Sequence, residues 1–152
     1  MRLMNLVFSI ILALVLTGCS KKGNEGGCTT VAEDDAKMQN YISDNGITAT
    51  KHASGMYYQI IEPGSGATPT INSTVKANYI GKYTNNTSFD SGVASFSLTG
   101  VIEGWQIGIP LIKQGGKVKL IIPPYLAYGC YDYRGIPGNS VLVFDVELLE
   151  VN

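Results

Sequence analysis

The chain has 152 residues and a formal net charge of −1, with its 11 Lys and Arg and 12 Asp and Glu spread along it. That length predicts one domain with extensions. The dispersed charge excludes a nucleic-acid surface, which needs a concentrated basic patch. The 18 glycines and 6 prolines favour a turn-rich, strand-rich fold over a helical bundle.

The N-terminus opens with Arg2 and an apolar run over residues 6–16, interrupted only by Ser9. A helix that crosses a bilayer needs ~20 apolar residues, so this run is too short to span securely and has the length of a signal-peptide core. It leads into Leu16-Thr17-Gly18-Cys19, which resembles the lipobox of bacterial lipoproteins. The resemblance implies that residues 1–18 are a lipoprotein signal peptide and that the Cys19 thiol carries lipid. More than one acyl chain would make the anchor stable. An ordinary cleaved signal with an incidental cysteine is the competing reading. Residues 19–29 are polar and glycine-rich and read as a lipidated flexible tether.

Thr30-Val31-Ala32-Glu33 fits a capping box. It predicts a short helix to about residue 44, with Ala32, Ala36, Tyr41 and Ile42 on its apolar side and Asn45-Gly46 as its stop. Residues 30–54 are this helix and a linker, packed on the domain or spacing it from the membrane; residues 55–152 are the domain. Residues 56–61 form a strand that Pro63-Gly64 breaks. Residues 74–83 alternate, with Val75, Ala77 and Tyr79 on one face and Ile80 an apolar exception on the other. A polar turn follows over 83–87, then a short strand over 95–98. Residues 104–109 form one short helix limited by Pro110. Residues 117–122 and 141–151 are strands, separated by a long loop rich in Tyr, Gly and Pro. The expected fold class is α+β: a curved antiparallel sheet of about five strands wrapped over one short helix.

Conventional catalytic groups are sparse. His52 is the only histidine and lies in a polar stretch. No Cys or His cluster has metal-ligand spacing, and no phosphate-cradling glycine motif or nucleophile elbow appears. No metal or cofactor is expected. Besides Cys19, the chain has Cys28 and Cys130. An oxidising compartment would permit a bridge between them, but two lone cysteines leave the pairing open.

Aromatic and apolar residues gather beside loops instead. Four segments carry a resemblance over about residues 56–151: Val75-Lys76-Ala77-Asn78-Tyr79-Ile80-Gly81; Phe89-Asp90-Ser91; Phe96-Ser97-Leu98 leading to Val101-Ile102-Glu103-Gly104-Trp105; and Leu126-Ala127-Tyr128-Gly129 followed by Ile136-Pro137-Gly138-Asn139 and Leu142-Val143-Phe144-Asp145. In order and spacing this stretch resembles the FK506-binding-protein (FKBP) class of peptidyl-prolyl cis-trans isomerases.

The resemblance implies a pocket that accelerates rotation about Xaa-Pro bonds without covalent catalysis. Trp105 would be its floor. Tyr79, Phe89, Phe96, Val101, Ile102 and Phe144 would be walls, with the Ile102 N–H holding a substrate carbonyl. The Tyr128 hydroxyl would donate near the rotating bond, Ile136 would close one side, and Asp90 would sit at the rim bonded to Tyr79. Glu103 is expected to face solvent. Two departures stand out. Many members carry an arginine a few residues past the Phe-Asp pair, where this chain has Ser91-Gly92-Val93-Ala94, and the loop from Cys130 to Gly135 is short and unusually aromatic. The implied partners are proline-containing polypeptides and, through Cys19, a membrane. The implied place is the bacterial cell envelope, at the outer membrane facing the periplasm, as a monomer. A non-catalytic chaperone or peptide-binding module that uses the same pocket is the alternative.

Overall fold

The computed structural model describes residues 27–152. The signal peptide read at residues 1–18, the lipid site at Cys19 and the tether as far as residue 26 lie outside the described residues.

Helix α1 spans Val31–Asp44. Its capping box forms as expected: the Glu33 N–H donates to Thr30 Oγ1 at 3.2 Å, and the Thr30 N–H donates to Glu33 Oε2 at 2.8 Å. Its inner face differs from the expectation. Asp34, Met38 and Tyr41 are buried, whereas Ala32 and Ala36 are exposed. The stripe i, i+4, i+7 is helical, but it begins with an aspartate, so counting apolar residues misplaces the face. Asp34 tolerates burial because the Thr29 hydroxyl donates to its Oδ1 at 2.7 Å.

Among the described residues six strands form one antiparallel sheet: β1 Thr50–Lys51, β2 Tyr57–Glu62, β3 Thr74–Tyr83, β4 Ser88–Ser97, β5 Lys117–Ile122 and β6 Leu142–Val151. Their spatial order is β1-β2-β5-β6-β3-β4. The sixth strand beyond the expected five is the two-residue β1, too short to show periodicity. Strand β4 is also much longer than the expected 95–98. The second helix, α2, spans Glu103–Gly108 and continues into a tight turn, Ile109–Leu111. Pro110 is tolerated there because the first turn needs no donor from it.

The sheet buries both faces unequally. Val75 and Ala77 of β3, Val118, Leu120 and Ile122 of β5, and Leu142, Phe144, Val146 and Leu148 of β6 pack against Trp105 and Ile109. Each fully buried aliphatic side chain of this kind stabilises by about 1.5–3 kcal/mol. Gly104 and Gly108 bring α2 close to β5, since a Cβ at Gly108 would lie 2.6 Å from Leu120 Cδ2. On the opposite face, Tyr57, Ile121 and Val143 carry α1 through Met38 and Tyr41. Ile80, apolar on that same outer face, is not covered there and remains 42% exposed.

The loop between β5 and β6 is fastened to the start of α1. Cys28 and Cys130 form a disulfide with Cα atoms 4.8 Å apart. Asn139 Oδ1 accepts from the Thr29 N–H at 2.9 Å, and its Nδ2 donates to the Gly27 carbonyl at 3.1 Å. The pairing that the sequence left open is therefore made, and it ties one wall of the site to the N-terminal helix.

Candidate functional site

Trp105 lies on α2 with its ring between the sheet and the loops, and it is 4% exposed. Three rings meet it edge-on: Tyr79 of β3 at 5.4 Å and 84°, Phe96 of β4 at 5.4 Å and 78°, and Phe144 of β6 at 5.4 Å and 85°. Tyr79 and Phe96 also touch, at 5.6 Å and 69°. Each T-shaped pair is worth about 0.5–1.5 kcal/mol beyond its area, so the cluster holds the indole in one orientation. The Trp105 N–H is buried with no hydrogen-bond partner among the described residues. That arrangement costs about 1–3 kcal/mol.

Above this floor is a cavity of about 340 Å³, a size typical of small-ligand sites. Tyr79, Phe96, Val101, Ile102 and Phe144 line it, with Trp105 at the bottom. Asp90, Tyr128 and Ile136 complete the rim. Phe89 does not line it. Its ring packs behind Phe144 at 5.6 Å and against Tyr83 at 5.0 Å. The reason lies in the strand register. Gly81 pairs with Asp90 and Lys82 with Ser88, which leaves Phe89 as the extra residue of a bulge. Gly81 makes room for it, because a Cβ there would lie 2.7 Å from Phe89 Cζ and 2.9 Å from Phe144 Cε1.

Polar groups at the rim are few. The Tyr79 hydroxyl donates to Asp90 Oδ2 at 2.9 Å. Burial, reinforced by the Asp90 carboxylate, pushes the Tyr79 phenol up. Burial, with Tyr133 and Asp90 nearby, also pushes the Tyr128 phenol up. Both tyrosines therefore remain protonated donors at neutral pH. Among the described residues neither the Tyr128 hydroxyl nor the Ile102 N–H makes a hydrogen bond within the chain. Gln106 Nε2 donates to the Val101 carbonyl at 2.8 Å and so fixes the segment before α2. Glu103 is exposed. No three His, Cys, Asp or Glu side chains are grouped to hold a metal ion among the described residues.

Three lining residues were not anticipated, Gly100, Tyr133 and Arg134. Tyr133 stacks on Tyr128 with centroids 5.1 Å apart and planes at 12°, and the Arg134 guanidinium lies 5.3 Å from the Tyr133 ring centroid. The aromatic richness of residues 130–135 was the available signal. A positive charge therefore reaches the cavity from the loop, not from β4.

The chain was compared with known proteins. The family model for FKBP-type peptidyl-prolyl cis-trans isomerases matches residues 66–149. The chain is 43% identical over 129 residues to the FKBP-type peptidyl-prolyl cis-trans isomerase FkpA of Escherichia coli K12, covering 79% of this chain and 47% of that protein. It is 45% identical over 105 residues to a probable FKBP-type peptidyl-prolyl cis-trans isomerase of Haemophilus influenzae, covering 65% of this chain and 44% of that protein. The chain thus spans about half the length of the curated relatives it matches. Its fold is similar to the crystal structure of FkpA from Escherichia coli, with a TM-score of 0.72 at 43% identity over 80% of this chain and 61% of that one. It is also similar to a peptidyl-prolyl cis-trans isomerase from Pseudomonas syringae, with a TM-score of 0.69 at 26% identity over 84% of this chain and 99% of that one. With more than half of its residues matched by the family model and the same sheet found in solved members, the chain belongs to the FKBP-type peptidyl-prolyl cis-trans isomerases.

Proposed function

We propose that this chain accelerates cis-trans rotation about Xaa-Pro bonds in polypeptides, with the Trp105 cavity as its active site. The observation that carries the reading is the cavity itself: a hollow floored by Trp105 and walled by Phe96, Val101, Ile102 and Phe144, with Tyr79 and Asp90 as the polar side chains lining it from the sheet. Amide resonance sets a rotation barrier of ~18–20 kcal/mol, and Xaa-Pro bonds relax in tens to hundreds of seconds. The twisted transition state loses that resonance and its carbonyl carries less negative charge. Apolar walls therefore hold the twisted form better, relative to water, than they hold the planar amide.

In this reading the proline ring rests on Trp105 between Tyr79, Phe96 and Phe144. The free Ile102 N–H takes a backbone carbonyl of the substrate. The protonated Tyr128 hydroxyl donates beside the rotating bond. Asp90 holds the Tyr79 hydroxyl and sets the polarity of the rim. Phe89 acts through Phe144 as a positioning residue and does not touch substrate.

The place of action we propose is the bacterial envelope, with lipid on Cys19 anchoring the chain at the outer membrane on its periplasmic side. The Leu16-Thr17-Gly18-Cys19 pattern supports the anchor, and the Cys28–Cys130 bridge fits an oxidising compartment. The proposed form is a monomer.

The test is the relaxation of a short Xaa-Pro peptide in the presence of the protein. Acceleration at micromolar protein, lowered at least tenfold in both Trp105→Ala and Asp90→Ala, is the expected result. No acceleration by the unaltered protein rejects the activity. Full activity in both variants rejects the site. Incorporation of a labelled fatty acid that Cys19→Ser abolishes tests the anchor separately.

A further inference from the structure

The cavity wall supplied by the β5–β6 loop carries a feature that the aromatic floor does not explain. Tyr133 and Ile136 exchange backbone hydrogen bonds, 2.9 Å in each direction. The two residues between them, Arg134 and Gly135, have φ of 48° and 86°. That is the hairpin geometry in which both central residues need positive φ, a place usually taken by Asn, Asp or Gly. An arginine there is uncommon.

The turn is not loose. The loop that bears it is bonded to Cys28 and Thr29, just ahead of α1, through Cys130 and Asn139, and Asp132 Oδ1 accepts from the Gly138 N–H at 2.9 Å. The Arg134 guanidinium lies over Tyr133, which stacks on Tyr128. Among the described residues no carboxylate lies within ion-pair distance of it. Among the described residues Asp90 is the only carboxylate lining the cavity, and it is engaged by Tyr79. The mouth therefore presents a fixed cation on an aromatic shelf, with its planar fork of donors unused. Such a fork matches a carboxylate in a two-point bond.

We propose that Arg134 is a specificity-determining residue that favours polypeptides with a Glu or Asp next to the proline and disfavours those with Lys or Arg there. The inference rests on the isomerase reading of the same cavity. An exposed pair of this kind shifts relative rates by about twofold to fivefold at low ionic strength. Salt weakens it, because the screening length falls from about 10 Å at 0.1 M to about 3 Å at 1 M.

The experiment uses two series of end-blocked peptides, one with Glu, Ala or Lys before the proline and one with the same residues after it. Protease-free cis-to-trans relaxation is measured for each, and every rate is referred to that of the alanine peptide with the same protein. In at least one series the Glu-to-Lys ratio is expected to exceed one by about twofold to fivefold. It should fall to near one in Arg134→Gln, weaken while staying above one in Arg134→Lys, which keeps the charge without the fork, and invert in Arg134→Glu. It should also shrink as salt rises. A ratio that is the same in all four proteins overturns the inference while leaving the isomerase reading intact. Failure to accelerate even the alanine peptides rejects the isomerase reading, and this inference with it.

Discussion

Replacing both Cys28 and Cys130 by serine opens a ring. The two cysteines are 102 positions apart, so the oxidised unfolded chain is confined in a loop of that order. The chain-entropy treatment assigns a 100-residue loop about 4.7 kcal/mol at 25 °C, and native disulfides generally deliver 2–5 kcal/mol. The folded side of the balance changes little, because Asn139 holds the same junction, its Oδ1 accepting from the Thr29 N–H at 2.9 Å and its Nδ2 donating to the Gly27 carbonyl at 3.1 Å. The expected loss is therefore about 2–4.7 kcal/mol, a large share of the 5–15 kcal/mol typical of a domain. With a urea slope of about 1–3 kcal/mol per molar, the midpoint should drop by at least about 0.7 M. Trp105 is the only tryptophan and reports the transition by its fluorescence. Because the bridge also fastens the loop carrying Tyr128, Arg134 and Ile136, KM for a peptide should rise more than kcat falls. A midpoint that moves by less than about 0.3 M would refute the loop-closure reasoning.

Tyr79→Phe removes the donor to Asp90 and keeps the ring. We expect kcat/KM to fall by about twofold to tenfold with little change in Tm, as suits one exposed hydrogen bond; an unchanged rate would separate Asp90 from the chemistry. Gly81→Ala drives a methyl into Phe89 and Phe144. It should cost about 1–3 kcal/mol of stability and lower activity together, as overpacking does; a silent variant would mean that the Phe89–Phe144 pair does not position the wall. Burial raises the Asp145 carboxyl, but hydrogen bonds from the Lys119 and Lys82 ammoniums outweigh it and leave the group below its ordinary 3.8. Its stabilisation is therefore present above about pH 4 and lost as pH falls through the folded value. The urea midpoint of Asp145→Asn should trail that of the unaltered protein at neutral pH and converge with it in acid, whereas a constant gap would reject the ion-pair account.

Alternation made β3, β5 and β6 legible, because each turns an unbroken apolar row toward the core. Strand β4 was only partly legible for a physical reason. Its inner-face positions Asp90, Gly92 and Ala94 pair with Gly81, Tyr79 and Ala77. Only Phe96 adds a large apolar side chain to that face, so the strand has no apolar row to read. The bulge at Phe89 then shifts the alternation by one. This is why Phe89 and Asp90, adjacent in sequence, look like two wall residues when one stands behind the wall. The α1 face failed for a related reason, since Asp34 is buried through a hydrogen bond that no hydropathy count records. The floor at Trp105 and its three rings followed from the family resemblance. Tyr133 and Arg134 belong to a loop without a periodic signal, and only the turn geometry brings them to the mouth.

Strand β6 occupies the middle of the sheet although it is made last. Strands β1, β2 and β5 pair among themselves, as do β3 and β4, and only β6 joins the two groups. Without residues 142–151 the sheet is two separate ribbons. β5 and β3 then each present an open edge, the kind of surface on which chains stick to one another. The cavity takes its sheet-side wall from β3, β4 and β6, through Tyr79, Asp90, Phe96 and Phe144. The strand that closes the sheet is thus also the strand that sets Phe144 against Trp105.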